Sequence, residues 1–250
     1  MPSAAADTDA ARCGADVPVR VRFHGELNFF LRPERRDVEF TAPLGPTDTV
    51  KHAVESLGAP HTEIGRILID GEPVSWSSQP REGDLVEVFP HSTPIELAEY
   101  RFVLDGHLGR LAAYLRMLGF DAWYHHSADD PVLASVASRE KRLLLTRDVG
   151  LLKRNEVKRG YLVRPARPLE QLREVWDRYA LGVRVRPFTR CMVCNGELRP
   201  AAMEEVMELL PPRIRETKTE FSRCVNCGRV FWRGSHYARM MGWIEGLVSR

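Results

Sequence analysis

The sequence predicts an α/β protein built from three parts, and three observations support this. In the first third, strand-like and helix-like segments follow the order strand, strand, helix, strand, strand. From residue 101 onward, short apolar runs alternate with amphipathic segments, which predicts a parallel sheet with helical crossovers. Two Cys-x-x-Cys pairs near the end predict a small metal-bound unit. We expect domains at residues 17–92, 99–180 and 186–250, after a disordered tail at residues 1–16.

The first part has the strand and helix order of a β-grasp, or ubiquitin-like, fold. The segment VPVRVRF alternates apolar and polar residues, as a half-buried strand does. Asp70-Gly71 is a typical hairpin turn. The other elements that we expect here are a return strand at residues 37–40, a helix at residues 49–57 that ends at Gly58, and strands at residues 66–69 and 85–89.

Two segments of this part, ILIDGEPV and GDLVEVFP, resemble the small sulfur-carrier proteins of molybdopterin and thiamine synthesis. Those carriers end in a Gly-Gly tail that is adenylated at its carboxylate. This sequence contains no Gly-Gly pair and runs on as PHSTPIELAEY. It therefore favours a docking or scaffolding domain, with a protein partner, over a sulfur carrier.

Composition excludes some classes of protein. Hydrophobic residues make up 44% and charged residues 28% of the 250 residues, which is typical of a globular chain and not of a disordered one. No apolar run approaches the roughly 18–20 residues that span a bilayer, so we expect no membrane partner. The segment MPSAAADTDAARCGAD has neither the basic start nor the apolar stretch of a signal peptide, so we expect a cytoplasmic protein in which Cys13 is incidental.

The net charge of +2 is unevenly distributed. Residues 1–98 carry 9 Lys and Arg against 16 Asp and Glu, a net charge of −7. Residues 99–180 carry 15 against 11, and residues 181–250 carry 12 against 7, so this remainder has a net charge of +9. A basic half of this kind favours a polyanionic partner such as RNA. Ordinary solvated charge is the alternative that charge alone leaves open.

Acidic residues follow three predicted strands of the second part. Asp105 follows the strand at residues 101–104, Asp129-Asp130 follow the strand at residues 122–125, and Asp148 lies just beyond the strand at residues 143–146. Because parallel α/β sheets place their sites beyond the carboxyl ends of the strands, we expect these side chains to share one edge. Carboxylate oxygens suit Mg²⁺ or Mn²⁺.

Local structure offers an alternative for each of these acids. Asp130 before Pro131 is typical of a helix N-cap followed by proline. The Asp-Gly pair at residues 105–106 and the segment Asp-Val-Gly at residues 148–150 are also consistent with turns. The agreement of all three positions with strand ends favours the metal site.

The segments DGHLGRLAAYLRMLGFDAWY, ADDPVLASVASREKRLLLTRD, CMVC, CVNC and FWRGSHYARM together resemble the Mut-seven C-terminal ribonuclease family. The resemblance covers residues 17–245 and implies a PIN-like nuclease core, a zinc ribbon behind it and, as in some members, a ubiquitin-like domain in front. It implies a metal-dependent ribonuclease whose metal-binding acids are Asp105, Asp130 and Asp148, with Asp129 as the fallback. His107 stands where members often have a hydrophobic residue, and Gly150 stands near the expected position of a fourth acid.

The cysteine pairs are Cys191-x-x-Cys194 and Cys224-x-x-Cys227, separated by 29 residues. Four thiolates can close one tetrahedral Zn²⁺ site and leave no position for substrate, so we expect a structural zinc. We expect a helical insertion at residues 201–210 within the gap and a final helix at residues 237–248. Two redox-active pairs are the weaker alternative. The role of His236 is open.

Two functions follow from these features. The first is a metal-dependent endoribonuclease, a hydrolase in which metal-activated water cleaves RNA phosphodiester bonds. The second is a non-catalytic RNA-binding or ribosome-associated adaptor with a degenerate PIN core. In both, basic side chains hold phosphates. Those that we predict are Arg110, Arg116, Arg147, Lys153 and Arg154.

Overall fold

The computed structural model describes residues 16–248, without the side chains of residues 236, 247 and 248. The predicted disordered tail, apart from Asp16, and Cys13 therefore lie outside the described residues. The chain divides into two compact units, one ending at His91 and the other beginning at Ser92. No helix of the described part is long and apolar enough to cross a membrane.

The first unit is a five-stranded sheet with one α-helix, which confirms the predicted ubiquitin-like β-grasp fold. Its strands lie in the order β2-β1-β5-β3-β4, with β1 and β5 parallel and the other pairs antiparallel. The elements are β1 (Val17–Phe23), β2 (Phe40–Leu44), α1 (Val50–Leu57), β3 (Ile64–Ile69), β4 (Glu72–Pro73) and β5 (Leu85–Pro90). The side chain of Thr49 caps α1, and the left-handed Gly58 ends it.

Strand β2 begins three residues later than predicted, and Asp37 explains the difference. The backbone of Asp37 is left-handed, with φ of 58°. Its N–H donates to Oδ1 of Asn28 at 2.9 Å, and its carboxylate accepts from Nδ2 of Asn28 at 2.8 Å. These two hydrogen bonds hold Asp37 in a turn, so the extended backbone starts only at Phe40.

The second unit contains a four-stranded sheet, all of whose pairs are parallel, in the order β7-β6-β8-β9. We call it the parallel sheet. The chain alternates strands and helices as predicted, with an additional short helix, α4, where a turn was considered. The elements are β6 (Arg101–Leu104), α2 (Gly109–Met117), β7 (Asp121–Tyr124), α3 (Asp130–Arg139), β8 (Leu143–Thr146), α4 (Val149–Leu152), β9 (Gly160–Leu162) and α5 (Pro168–Arg178).

One face of the parallel sheet packs against α2 and α5. Phe102 and Leu104 of β6 belong to the same buried cluster as Leu111 of α2 and Leu172 of α5. The last helix, α8 (Ser235–Val248), adds the buried Ile244 to this cluster. The predicted final helix therefore contributes to the core.

A three-stranded antiparallel sheet lies between α5 and α8 in the chain; the first cysteine pair precedes its first strand, and the second pair begins at the last residue of its second strand. This sheet, β10 (Leu198–Ala201), β11 (Phe221–Cys224) and β12 (Val230–Trp232), is compatible with a zinc ribbon, and we call it the ribbon. The helical insertion predicted at residues 201–210 is shorter than expected. It consists of α6 (Met203–Val206) and a 3₁₀ turn, and a further helix, α7 (Pro212–Thr217), follows Pro211.

Candidate metal centres and nucleic-acid interface

Asp105 directly follows the carboxyl end of β6. The chain continues from β6 to β7 on one side and then returns to β8 on the other side, so Asp105 lies where the strand order of the parallel sheet changes direction. Its side chain is buried, at 6% exposure. One oxygen accepts from the N–H of His107 at 2.8 Å. The other accepts from the hydroxyl of Thr146 and from the N–H of Arg147 at 2.8 Å. The carboxylate is thus fixed at the point where open α/β sheets bind ligands.

Thr146, the last residue of β8, also connects to the second predicted acid. Its hydroxyl oxygen accepts from the N–H of Asp148 at 2.9 Å. Oδ1 of Asp148 accepts from the N–H of Gly150 at 2.6 Å and so caps α4, while the side chain as a whole is exposed. Gly150 therefore serves the cap and brings no fourth carboxylate. Sequence reasoning missed Thr146, although a threonine that ends an apolar strand two residues before an aspartate was the available signal.

The helix cap that the local pattern suggested at Asp130 is formed by Asp129 instead. The N-cap of α3 is Asp129, whose Oδ1 accepts from the N–H of Val132 at 3.1 Å. Asp130 is the first residue of the helix and is exposed. Within the described chain its carboxylate has no hydrogen-bond donor. The capping alternative therefore applies to Asp129 and leaves Asp130 available to a ligand.

The three predicted carboxylates lie beyond strand ends of one parallel sheet, but they do not form a compact cluster. Among the side chains that the structure describes, the four cysteines are the only group of three or more Cys, His, Asp or Glu residues whose ligand atoms all lie within 4.8 Å of one another. The donors nevertheless fit a hard divalent cation. Hydrogen bonds occupy about three of the four lone-pair positions on Asp105 and one on Asp148, and Asp130 is free of such bonds in the described structure.

Four of the five basic residues predicted to contact RNA lie beside these acids in the chain. Arg110 and Arg147 are exposed. Lys153 and Arg154 are half-buried, and they follow the short helix that Asp148 caps. Nε of Arg154 lies 3.9 Å from Glu156, which is a weak ion pair.

Arg116 is placed differently from the prediction, and its predicted contact with RNA is corrected. The side chain is only 4% exposed. Its Nε donates to the carbonyl of Ala122 at 2.8 Å, and its Nη1 donates to the carbonyls of Met192 and Val193 at 3.3 and 2.9 Å. Burial lowers the pKa of Arg116 from its ordinary value. A buried guanidinium with three carbonyl acceptors is a structural link and is not available to a phosphate.

This link belongs to a set of contacts between the first cysteine pair and β7, which is an edge strand of the parallel sheet. Oδ1 of Asn195 accepts from the N–H of Ala122 at 3.0 Å, and Nδ2 of Asn195 donates to Asp121 at 2.7 Å. Arg142 donates to both oxygens of Asp121, at 2.7 and 3.2 Å. Arg116 and Asn195 thus satisfy the two polar backbone atoms of Ala122.

Opposing effects act on the pKa of Asp121. Burial by itself raises the pKa, because it disfavours the charged form. Hydrogen bonds from Arg142 and Asn195 outweigh burial and hold the pKa of this carboxyl below its ordinary value of 3.8. Asp121 is therefore a charged structural residue beneath the cysteine pair, and sequence reasoning assigned it no role.

The four cysteine sulfurs form a preorganised metal-binding cluster. Sγ of Cys191 lies 3.8 Å from Sγ of Cys227, and Sγ of Cys194 lies 3.4 Å from Sγ of Cys224. Tetrahedral zinc with Zn–S bonds of about 2.3 Å needs sulfurs about 3.8 Å apart, so the cluster can hold a zinc ion. Burial raises the pKa of Cys194 to about 12. Burial also acts to raise the pKa of Cys224, but N–H groups of its knuckle lower it to about 7.

The two cysteine pairs are folded in the same way. The residue four positions after the first cysteine donates its N–H back to that cysteine's carbonyl, from Asn195 to Cys191 at 2.9 Å and from Gly228 to Cys224 at 3.0 Å. Both Asn195 and Gly228 are left-handed, with φ of 68° and 70°. Each pair thus closes in a tight turn whose left-handed residue is Asn or Gly, the residue types that adopt this conformation most readily.

Two family models agree with this architecture. A family model described as the Mut7-C RNAse domain matches residues 100–244, and one described as Mut7-C ubiquitin matches residues 16–96. No curated protein matches the chain. Among solved structures, the chain is similar to a putative molybdopterin converting factor, subunit 1, from Pyrococcus furiosus, with 21% identity and a TM-score of 0.25. It is also similar to small archaeal modifier protein 1 from H. volcanii, with 16% identity and a TM-score of 0.25. Each similarity covers 30% of this chain and 99% of the other.

Proposed function

The chain belongs to the Mut7-C RNAse domain family, whose model matches more than half of its residues, and from this premise we propose that it is a metal-dependent endoribonuclease. The reaction is hydrolysis, in which the oxygen of a water molecule bonds to phosphorus and a bond from phosphorus to a ribose oxygen breaks. No covalent enzyme intermediate is needed. The observation that carries the proposal is the hydrogen-bonded connection from Asp105 through Thr146 to Asp148.

In this proposal Asp105, Asp130 and Asp148 hold the catalytic ion. A bound Mg²⁺ or Mn²⁺ lowers the pKa of water and neutralises charge that develops on the phosphodiester. Thr146 and the N–H groups of His107 and Arg147 orient the buried Asp105 carboxylate. Preorganised ligands of this kind avoid the cost of reorganisation during the reaction.

Basic side chains near the acids position the RNA. The residues that we propose for phosphate binding are Arg110, Arg147, Lys153 and Arg154. Neutralised phosphates release counterions, so RNA affinity should fall steeply with salt concentration.

We also propose that the cysteine cluster of the ribbon holds one structural Zn²⁺. With four thiolate ligands it leaves no open coordination position for substrate, so its contribution is to folding. We place the protein in the cytoplasm, where reducing conditions keep the thiols free of disulfides.

We propose domain boundaries at residues 17–92, 99–180 and 186–250, with distinct roles for the three parts. The β-grasp domain binds a protein partner. It is acidic, as residues 1–98 carry a net charge of −7. It is therefore a poor surface for RNA, which the basic remainder binds instead.

The second candidate is a non-catalytic RNA-binding or ribosome-associated adaptor. One observation favours it: within residues 16–248 the acidic side chains do not form a three-ligand cluster as the cysteines do. An adaptor would bind RNA with similar affinity and would cleave it in no divalent metal.

Asp130 and Asp129 provide a matched pair of variants that tests the nuclease. Each is exposed, and Asp→Asn removes one charge from each. Asn caps helices as well as Asp does, so Asp129→Asn keeps α3 intact. In Mn²⁺-dependent cleavage of single-stranded RNA, Asp130→Asn should lower the rate by about 100-fold, because ligation of the ion contributes several kcal/mol. Asp129→Asn should cleave like wild type. Equal cleavage by both variants would refute the proposed ligand set.

A further inference from the structure

An open cleft with aromatic walls lies on the ribbon, and it shares no residue with the acidic site. Its volume is about 440 Å³, within the range of about 300–1,000 Å³ typical of small-molecule sites. Five aromatic side chains line it, and one of them, Phe221, is buried in the core of the ribbon. The other four are Phe188, Phe231, Trp232 and Tyr237. Ser222 and Arg233 add polar groups to the lining. These four residues are half-buried, so their rings are partly accessible to a ligand.

Part of this aromatic surface is held in a fixed arrangement. The rings of Phe188 and Tyr237 lie 4.4 Å apart between centroids, with 36° between their planes. Phe188 has a left-handed backbone, with φ of 57°, which is uncommon for a bulky residue. Its N–H donates to the carbonyl of Met117 at 2.9 Å, so the end of α2 holds it there. Local strain that the surroundings maintain is typical of functional sites.

The ribbon's own core does not account for all of these rings. That core consists of Val206, Leu210 and Phe221, with Trp232 among the residues packed against it. Phe231 and Tyr237 are not members of this cluster. Two half-buried aromatic rings thus remain on the cleft wall without a place in the ribbon core.

Charge selects the class of ligand. The guanidinium of Arg233 lies 5.6 Å from the ring centroid of Tyr237, and its Nη1 lies 2.9 Å from a carboxylate oxygen of Glu220. Arg233 and Glu220 are each about two-thirds exposed, so solvent weakens their attraction and a phosphate can compete for the arginine. Residues 181–250 carry 12 basic and 7 acidic residues, and this excess of +5 attracts a polyanion.

We propose that this cleft binds an unpaired nucleobase of single-stranded RNA, with Phe231 and Tyr237 as the stacking surfaces and Arg233 beside the phosphate. Unpaired bases stack on aromatic rings and arginine planes in single-strand recognition. The site anchors the RNA at a position separate from the carboxylates. The inference rests on the proposed function in one respect, the choice of RNA as ligand.

Affinity measurements on the full-length, zinc-loaded protein test the proposal. The probe is a fluorescein-labelled, single-stranded 12-nucleotide RNA, and fluorescence anisotropy is recorded without Mg²⁺ or Mn²⁺ so that cleavage does not contribute. Phe231→Ala and Tyr237→Ala should each weaken binding by about 5- to 150-fold, the range for loss of one base–aromatic stack. Phe231→Trp, which keeps an aromatic ring at this position, should bind RNA like wild type. Phe29→Ala, which removes an aromatic ring that is 52% exposed in the other unit, should leave affinity unchanged.

Arg233 and Arg199 form a matched pair for the charge contribution. Both are exposed, and each pairs with a glutamate, Arg233 with Glu220 and Arg199 with Glu197. Arg233→Gln should weaken RNA binding several-fold more than Arg199→Gln, although the net charge changes equally. As a direct readout, RNA containing 4-thiouridine should crosslink to peptides that contain Phe231 or Tyr237.

The outcomes separate this proposal from the proposed nuclease. Wild-type RNA affinity in both alanine variants, with zinc content retained, would overturn the cleft as an RNA site. A proline-rich peptide that occupied the cleft without displacing RNA would overturn it as well. If RNA is cleaved normally while the cleft variants bind like wild type, only this inference fails. If no divalent metal supports cleavage but Phe231→Ala weakens binding, the inference stands and the nuclease fails.

Discussion

The hydroxyl of Thr146 donates a hydrogen bond to the buried carboxylate of Asp105, and it accepts one from the N–H of Asp148. These contacts join the ends of β6 and β8, although Asp105 and Thr146 are 41 positions apart in the chain. One side chain thus orients a proposed metal ligand and fixes the start of the loop that carries another. We expect the contribution of Thr146 to activity to depend on its hydroxyl more than on its methyl group.

Thr146→Val keeps the shape of the side chain and removes the hydroxyl. The Asp105 carboxylate then loses one donor, and the N–H of Asp148 loses its acceptor. We expect Mn²⁺-dependent RNA cleavage to fall about 10- to 100-fold, as for other groups that orient metal ligands. The rate should be measured as a function of Mn²⁺ concentration, because weaker ligand orientation predicts a higher metal requirement.

Thr146→Ser is the matched control, since it keeps the hydroxyl and removes the methyl group. It should keep most of the cleavage activity. RNA affinity measured without divalent metal should be the same in both variants. If valine and serine at this position were equally active, Thr146 would have no orienting role.

Local sequence patterns predicted the elements well and the side-chain partners poorly. An alternating pattern located β1 and a short apolar run located β8 at their observed bounds, because both signals depend on neighbours within a few residues. The role of Arg116 depends on carbonyls 76 and 77 residues away, so no local pattern could show that it is buried.

At the acidic site too, local patterns predicted the elements but not every side-chain role. Placing Asp105 and Asp148 beyond strand ends required only the strand assignments and the rule for parallel sheets. Choosing between Asp129 and Asp130 as the cap required the helix start to within one residue, which periodicity does not resolve. For the cysteines, spacing alone predicted the cluster, because few folds bring two such pairs together for another purpose.

Cys194→Ser should remove zinc binding and destabilise the second unit. Structural zinc contributes on the order of 10 kcal/mol to folding in small zinc domains, and a three-thiolate site holds it less tightly. We expect about one zinc ion per chain in the wild type, much less in the variant, and a lower melting temperature. Cys13→Ser makes the same substitution at a cysteine that belongs to neither Cys-x-x-Cys pair and should bind zinc like wild type. Full zinc content in Cys194→Ser would contradict the site.

Asn195→Gly should loosen the contact between the cysteine module and β7. Glycine keeps the left-handed backbone, with its φ of 68°, so the variant removes the amide side chain without adding strain. The N–H of Ala122 and the carboxylate of Asp121 each lose a partner. We expect the free energy of unfolding to fall by about 1–3 kcal/mol.

Amide hydrogen exchange at Ala122 gives the local readout for this variant, and it should become faster. Asn226→Gly, in the second cysteine pair, is the control, because Asn226 is exposed and makes no side-chain hydrogen bond to the described residues. Unchanged exchange at Ala122 in Asn195→Gly would show that the amide does not protect this edge strand.

Glu174 on α5 should make stability depend on pH in the direction opposite to that of an ordinary paired carboxylate. Its oxygens accept from the hydroxyl of Tyr161 at 2.6 Å and from the N–H of Arg164 at 3.2 Å. Burial outweighs these contacts and raises the pKa of Glu174 above its ordinary value of 4.5. The folded protein therefore holds this proton more tightly than the unfolded chain does.

The sign of the effect follows from this difference. The stabilisation from Glu174 is fully present below the pKa of the unfolded chain, near 4.5, and it is lost as pH rises through the higher pKa of the folded state. Urea unfolding at several pH values above 4.5 should show this loss in the wild type. In Glu174→Gln the side chain does not titrate, so this loss is absent. The unfolding free energy of the variant should therefore rise relative to that of the wild type as pH rises. A difference that stays constant with pH would show that Glu174 is ionised alike in both states.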